Sequence, residues 1–319
     1  MTRFDGSFEQ IAVATRSDLE ESLHHGAGAA IGPSGDLVAR IGDPDLVIYP
    51  RSTLKPLQAW AMVEIGLDIP DMLLAIVCAS HDGTVMHLDA VREILRRFDL
   101  TESDLGNTAA RPLSNTARAE ARVAGVEPSA LQQNCSGKHA GMLATCRING
   151  WPIDNYLDFD HPLQRAITAT MSEFGCAVHH VGVDGCGAPT HALELRSLAR
   201  SYAAIASSES NVARAMMSHP ELVGGPKRDV TIWMQAISGL MVKEGADGVM
   251  AAAHADGRAC AFKIADGSNA ARQAAMIEAL RAMDVDLGHV APETIDQLEV
   301  PILGGGRRVG TLTPLEWLR

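Results

Sequence analysis

Residues 51–56 read Arg51-Ser52-Thr53-Leu54-Lys55-Pro56, an S-x-x-K unit where an extended segment turns into a helix. Proline is tolerated in the first turn of a helix, so the helix begins just before Pro56 and Ser52 lies at or beside its N-terminus. Positions three apart share a helical face, which brings the Lys55 amine within reach of the Ser52 hydroxyl. A serine with a neighbouring base is how hydrolases make a nucleophile from a weak group, and the N–H groups at a helix start favour a developing oxyanion. Taken alone, the same serine reads more readily as the N-cap of a surface helix.

Working outward, Leu46–Tyr49 reads as the strand that leads into Ser52. Ile11–Thr15 reads as an earlier strand, and Gly28–Ile41 as a hairpin about Gly32-Pro33-Ser34-Gly35-Asp36. The middle of the chain is helical. Val85, Leu88, Val91, Ile94, Leu95 and Phe98 keep helical spacing, and 139–148, 162–174 and 211–217 follow suit. Towards the end, 248–254 and 258–264 form two strands joined by Ala255-Asp256-Gly257, a strong hairpin signal. An Ala-rich helix over 269–283 and one or two strands over 297–313 complete the pattern. Strands at both ends with helices between them predict an α+β fold, a terminal antiparallel sheet with a helical lobe. No repeat, linker or composition shift marks a boundary, so residues 1–319 are expected to form a single catalytic domain.

Composition narrows the function classes. Hydrophobic residues at 46% and charged residues at 21% are ordinary globular values. Aromatics are only 4%, which predicts a core rich in aliphatic, Ala and Met side chains. A net charge of −12 disfavours nucleic acid and anionic membranes as partners. Residues 1–21 lack an apolar secretory core, and the longest apolar run, 72–79, is too short to span a bilayer. The six cysteines are scattered through a large chain, which fits thiols or ligands better than a disulfide framework. A cytoplasmic location is the expectation.

Three further segments carry chemistry. Lys263 sits between Phe262 and Ile264, so strand alternation puts it on the face opposite two apolar neighbours, pointing into a cleft or into solvent. Ser80-His81-Asp82-Gly83 closes an apolar helix. A triad among adjacent residues is rejected, because real triads assemble across a fold, and the segment reads as a pocket-lining loop or a helix C-cap. Asn134-Cys135-Ser136-Gly137-Lys138-His139 and Val183-Asp184-Gly185-Cys186-Gly187-Ala188-Pro189 put two cysteines in Gly-rich loops. Their spacing alone is a poor metal signal, and structural thiols are the plainer reading.

Together these blocks, with Arg51-Ser52-Thr53-Leu54-Lys55-Pro56-Leu57-Gln58 and Val223-Gly224-Gly225, resemble the rhizobial-type L-asparaginases, the asparaginase II family of the serine–lysine class. Order and approximate separation agree along nearly the whole chain. The resemblance implies a fold akin to penicillin-binding proteins, serine β-lactamases and glutaminases. It implies hydrolysis of L-asparagine to L-aspartate and ammonia through an acyl-enzyme ester. Carried over residue by residue, Ser52 with Lys55 and Ser80 with Lys263 form two catalytic Ser–Lys pairs. Cys135, Lys138 and Cys186 match the family's zinc ligands, the ion serving to position groups. A homodimer is implied in the same way. Arg51, Asn134, Asp184 and His139 are the expected substrate-binding residues, since a zwitterion needs fixed, complementary partners.

Departures set limits. The strand holding Lys263 reads Lys263-Ile264-Ala265-Asp266-Gly267, not K-[ST]-G, and no S-D-N element is present, so β-lactam processing is not expected. The threonine-nucleophile patterns of other asparaginase classes are not apparent. Two alternatives stay open: a glutaminase or other small-amide hydrolase, and a regulatory protein that binds an amino acid without turning it over.

Overall fold

The computed structural model describes residue 4, residues 6–208 and residues 210–319. Strands β1 (Glu9–Arg16), β2 (Leu19–Ile31), β3 (Leu37–Ile41) and β4 (Val47–Ile48) come first, then a 3-10 turn over Arg51–Leu54. Helices α1 (Lys55–Glu64), α2 (Asp71–Val77), α3 (Val85–Arg97), α4 (Asn115–Val123), α5 (Ser136–Asn149) and α6 (Pro162–Glu173) follow. After β5 (His180–Val183) and β6 (Pro189–Glu194) come α7 (Leu195–Ser207), α8 (Asn211–Ser218), α9 (Pro220–Val223) and α10 (Asp229–Ala236). The chain closes with β7 (Leu240–Gly245), β8 (Val249–His254), β9 (Ala259–Ile264), α11 (Asn269–Ala282), α12 (Pro292–Leu298), β10 (Pro301–Gly304) and β11 (Arg307–Pro314). The α+β arrangement expected from the sequence is present.

Contacts divide the chain into two compact units, residues 1–53, 192–208 and 232–319 in one and 54–191 with 209–231 in the other. Three of the four crossings fall inside continuous elements, the 3-10 turn, β6 and α10, so no linker composition marks them; the fourth follows α7 at Ser208.

The first unit is built on an eight-stranded sheet ordered β10-β11-β1-β2-β9-β8-β7, with β3 also paired to β2. Strands from both ends of the chain meet in it. Val13 faces Thr313 and Leu23, and Ala27 faces Lys263, all in antiparallel register. Helices α7 and α11 pack on this sheet. Strands β7–β9 are buried on successive residues, the signature of a sheet covered on both faces. Phe262 and Ile264 are fully buried, while Lys263 between them is not, as the alternation predicts.

The second unit is helical around α5, which is buried from Ser136 to Cys146 and packs against α1, α2, α3 and α6. Two glycines let α2 approach it. A Cβ on Gly137 would sit 2.1 Å from the Ile76 carbonyl oxygen, and one on Gly141 would sit 2.8 Å from Val77.

Several elements begin or end elsewhere than the patterns suggest. The strand expected over 46–49 pairs only at Val47 and Ile48, opposite Glu194 and Leu193. The helix expected over 139–148 starts at Ser136, because the loop before it is already turned by Ser136 N–H bonding to the Gln133 carbonyl. Helix α12 occupies the start of the stretch read as strand, with Pro292 in its first turn.

Candidate active site

Pro56 sits in the first turn of α1, as expected, and the helix proper begins at Lys55. Ser52 lies one turn earlier, half-buried in the 3-10 segment. That turn is pinned within the first unit: Thr53 Oγ1 donates to the Pro50 carbonyl at 2.8 Å, and the Tyr202 hydroxyl donates to the Thr53 carbonyl at 2.6 Å. Arg51 takes a left-handed conformation, φ +56°, rare for a residue with a side chain. Its guanidinium Nη1 meets Asp247 Oδ2 at 2.5 Å. Lys263 lies in the same unit. Its amine donates to the Asp247 carbonyl at 2.5 Å and to the Ile264 carbonyl at 2.8 Å. Burial pulls the Lys263 ammonium below its usual value, Asp247 and Asp266 resist, and Arg51 adds to the fall.

In the second unit the Lys55 side chain is fully buried, and its amine donates to the Ala79 carbonyl and, at 3.2 Å, to Ser80 Oγ. The pairing read from sequence gave Ser80 to Lys263; the lysine that bonds Ser80 within this unit is Lys55. Ser80 is held by its backbone. Ser80 N–H bonds the Val223 carbonyl at 3.0 Å, His81 N–H the Asn134 carbonyl at 3.2 Å, and Asp82 N–H the Gly224 carbonyl at 2.8 Å. The glycines of Val223-Gly224-Gly225 are a packing need, since a Cβ on Gly225 would fall 2.1 Å from Asp82 Oδ2. Asp82 in turn accepts from Arg228 Nη1 at 3.0 Å.

Beside these residues, Cys135 and Cys186 are buried against each other, and Lys138 Nζ lies 3.1 Å from Cys186 Sγ. The hydrogen bond from Cys186 holds Cys135 well below its usual thiol value despite burial, with Lys55 and Lys138 adding to the effect. Cys186 is driven upward by that same bond and by burial. Lys138 is pulled down by burial, yet the negative charge of Cys186, Cys135 and Asp184 keeps it above its ordinary value. Among the described residues no group of three His, Cys, Asp or Glu side chains could hold a metal ion. The donor set that converges is two thiols and one amine.

The expected substrate residues are placed as follows. Asp184 closes a turn, with Gly187 N–H on its carbonyl at 2.8 Å and Gly185 N–H on its Oδ1 at 2.8 Å. Asn134 is half-buried beside Cys135 and anchors His81 through its carbonyl. His139 is fully buried, and burial, then Lys138 and Lys55, keep its imidazole well below the usual value. The Tyr156 hydroxyl accepts from Gly106 N–H at 2.9 Å and stands 2.6 Å from His139 Nδ1. A neutral ring accepting that hydroxyl at Nδ1 carries its proton on Nε2, which has no hydrogen-bond partner.

The sequence model of the L-asparaginase II family matches residues 12–314. The chain belongs to that family. Membership makes the chain an amidohydrolase and implies a small-molecule substrate. A comparison with curated proteins gave no match. Among solved structures, the chain is similar to a β-lactamase from Mycobacterium bovis, at 17% identity and a TM-score of 0.41, over 83% of this chain and 95% of that one. No helix among the described residues is long and apolar enough to cross a membrane.

Four features of the chain were not read from its sequence. Asp247 sits in the turn Ala246-Asp247-Gly248, whose Asp-Gly pair between apolar runs was available as a hairpin signal. His81, fully buried, reaches Ser136 Oγ with Nε2 at 2.8 Å and stacks on His87 with ring centroids 5.3 Å apart. Tyr156 orients His139 from seventeen positions away, which no local pattern announces. Lys243 is fully buried in β7, its amine 3.0 Å from Glu244 Oε1.

Proposed function

We propose that this amidohydrolase acts on L-asparagine, releasing L-aspartate and ammonia through a serine acyl-enzyme, with residues 1–319 as one catalytic entity. The observation that carries the reading is the Lys55 amine on the Ser80 hydroxyl, buried and three positions after Ser52 in the chain. Ser52 Oγ attacks the side-chain amide carbon of asparagine, and Lys55 takes the hydroxyl proton. Ser80, bonded to Lys55, returns that proton to the departing nitrogen. The C–N bond breaks, ammonia leaves, and the aspartyl group remains as an ester on Ser52. Water then attacks the ester carbon, giving up a proton to the lysine, and aspartate departs as the serine recovers its own. Lys263 is the second lysine of the reading. Its desolvated amine, held below the usual value, supports a role in proton transfer.

Arg51 and Asp184 are assigned to the substrate's carboxylate and ammonium, Asn134 to a polar contact, and His139 Nε2–H to a hydrogen bond from an otherwise unpartnered donor. Cys135, Lys138 and Cys186 would hold a zinc ion; two thiols with an amine at 3.1 Å from one of them fit such an ion. Zinc there would supply positive charge that fixes the two loops, a positioning role. A cytoplasmic homodimer completes the proposal.

The Lys55–Ser80 bond also favours a second reading, in which Ser80 carries the acyl group. Rapid quench with asparagine, followed by mass spectrometry of the peptides, decides between them: an aspartyl adduct on Ser52 supports the first and one on Ser80 the second. Ammonia release from asparagine and glutamine tests the substrate, since one methylene changes discrimination by only ~1–3 kcal/mol. Tight asparagine binding with no ammonia from any amide would turn the protein into a binder and end the proposal.

A further inference from the structure

The turn joining β7 to β8 touches two candidate residues of the first unit, Arg51 and Lys263. Asp247 accepts from Arg51 Nη1 with its carboxylate at 2.5 Å and from the Lys263 amine with its carbonyl at 2.5 Å. One residue before the turn, Gly245 lies flat on the segment that carries Ser52: a Cβ there would fall 2.5 Å from the Pro50 carbonyl oxygen and 3.3 Å from Thr53 Cγ2. On the far side, Gly248 backs onto Ile264 and its carbonyl accepts from Ile264 N–H at 2.9 Å, beside Lys263.

Backbone conformation gives the contact its meaning. Arg51 has φ +56° and Asp247 has φ +58°. Such conformations are sparsely populated for residues with side chains and persist where the surroundings over-determine them. Here each of the two is tied to the other by a charge-assisted hydrogen bond. The unusual backbone at Arg51 aims Ser52, the next residue.

We propose that Asp247 is a positioning residue for the amide hydrolysis, holding the Arg51–Ser52 turn through its carboxylate and the Lys263 amine through its carbonyl. The proposal rests on the serine acyl-enzyme reading above. Its carboxylate is also one of the charges that Lys263 senses. The others are Asp266, which is bonded to His24, and Arg51, while the strand neighbours Ala27 and Val249 are apolar.

The decisive variant is Asp247→Asn in the full-length chain. Asparagine adopts the left-handed region readily, so the turn backbone and its carbonyl bond to Lys263 remain while the charge is lost. With a melting temperature near that of the wild type, kcat should fall about 10- to 100-fold, as expected for a misaimed nucleophile, and KM should move far less. The acid limb of kcat/KM should move to lower pH, because Lys263 loses an anion that favours its protonated form. Asp247→Glu should recover part of kcat. The kcat losses from Asp247→Asn and Arg51→Met should not multiply when combined, since one acts through the other, while Arg51→Met alone should also raise KM by removing the contact assigned to the substrate's carboxylate. An active wild type with a folded Asp247→Asn of unchanged kcat and pH profile overturns this proposal alone, as do losses that multiply. A wild type that releases no ammonia overturns the functional reading, and this one with it.

Discussion

Lys55 Nζ stands 3.2 Å from Ser80 Oγ, across 25 positions of chain and out of contact with solvent. Both groups are polar and both are buried, so each gains from a hydrogen bond made inside the protein. The Ala79 carbonyl takes a second Lys55 proton, which fixes the direction from which the amine meets the hydroxyl.

Removing that amine should abolish turnover without unfolding the protein. Lys55→Met keeps the buried volume, and kcat for ammonia release should fall by about 10²–10⁴, the range lost with a positioned base. Lys55→Arg should not restore it, because a guanidinium stays protonated and cannot act as a base. Wild-type rates in Lys55→Met would show that the pair is structural.

The thiol pair makes a prediction about metal content. Purified protein should carry zinc by elemental analysis, and Cys135→Ser or Cys186→Ser should each lose most of it, since removing one ligand opens the site. Asparagine affinity should weaken in the zinc-depleted protein, while any residual turnover should keep its pH dependence. Equal zinc in wild type and both variants would remove the metal from the site.

Acid should destabilise the fold through buried histidines. His191 is fully buried, and burial lowers it to about 4, below the ~6.5 of an unfolded chain. The unfolded state therefore binds the proton more readily. His191's stabilising contribution is complete above pH ~6.5 and is lost as the pH falls towards 4, at up to about 1.4 kcal/mol per pH unit. His87, also buried, shifts in the same direction. Urea midpoints at pH 7 and pH 5 should differ accordingly, and His191→Gln should reduce the difference. An identical pH slope in that variant would assign the acid sensitivity to other groups.

Packing between α2 and α5 should tolerate no methyl at Gly137. The added carbon would meet the Ile76 carbonyl oxygen at 2.1 Å, and backbone on both sides must then give way. Gly137→Ala should cost ~1–3 kcal/mol in chemical denaturation, the usual cost of overpacking a core. A wild-type midpoint would mean that the helices separate freely.

Much of this was legible in the sequence where the cause is local. Pro56 marked the start of α1, and Ala255-Asp256-Gly257 marked the β8–β9 hairpin, because both act through backbone angles of a few residues. Helix α7 went unread although Leu195, Leu198, Ala199, Tyr202 and Ile205 keep helical spacing. Strand β7 was obscured for a physical reason: Leu240-Met241-Val242-Lys243-Glu244-Gly245 is buried throughout, so it shows no alternation, and its charged pair reads as surface.

The sequence by itself determined the order of the chemical blocks, and with it the family and the class of reaction. It also marked the start of α1 at Pro56 and the β8–β9 hairpin, since capping and turn rules operate within a few residues. Only the tertiary structure decided that Lys55 bonds Ser80 within its unit, that Arg51 is tied to Asp247 across 196 positions, and that Tyr156 orients His139. Those meetings depend on how helices and strands pack at ångström scale, and no spacing along the chain encodes that distance.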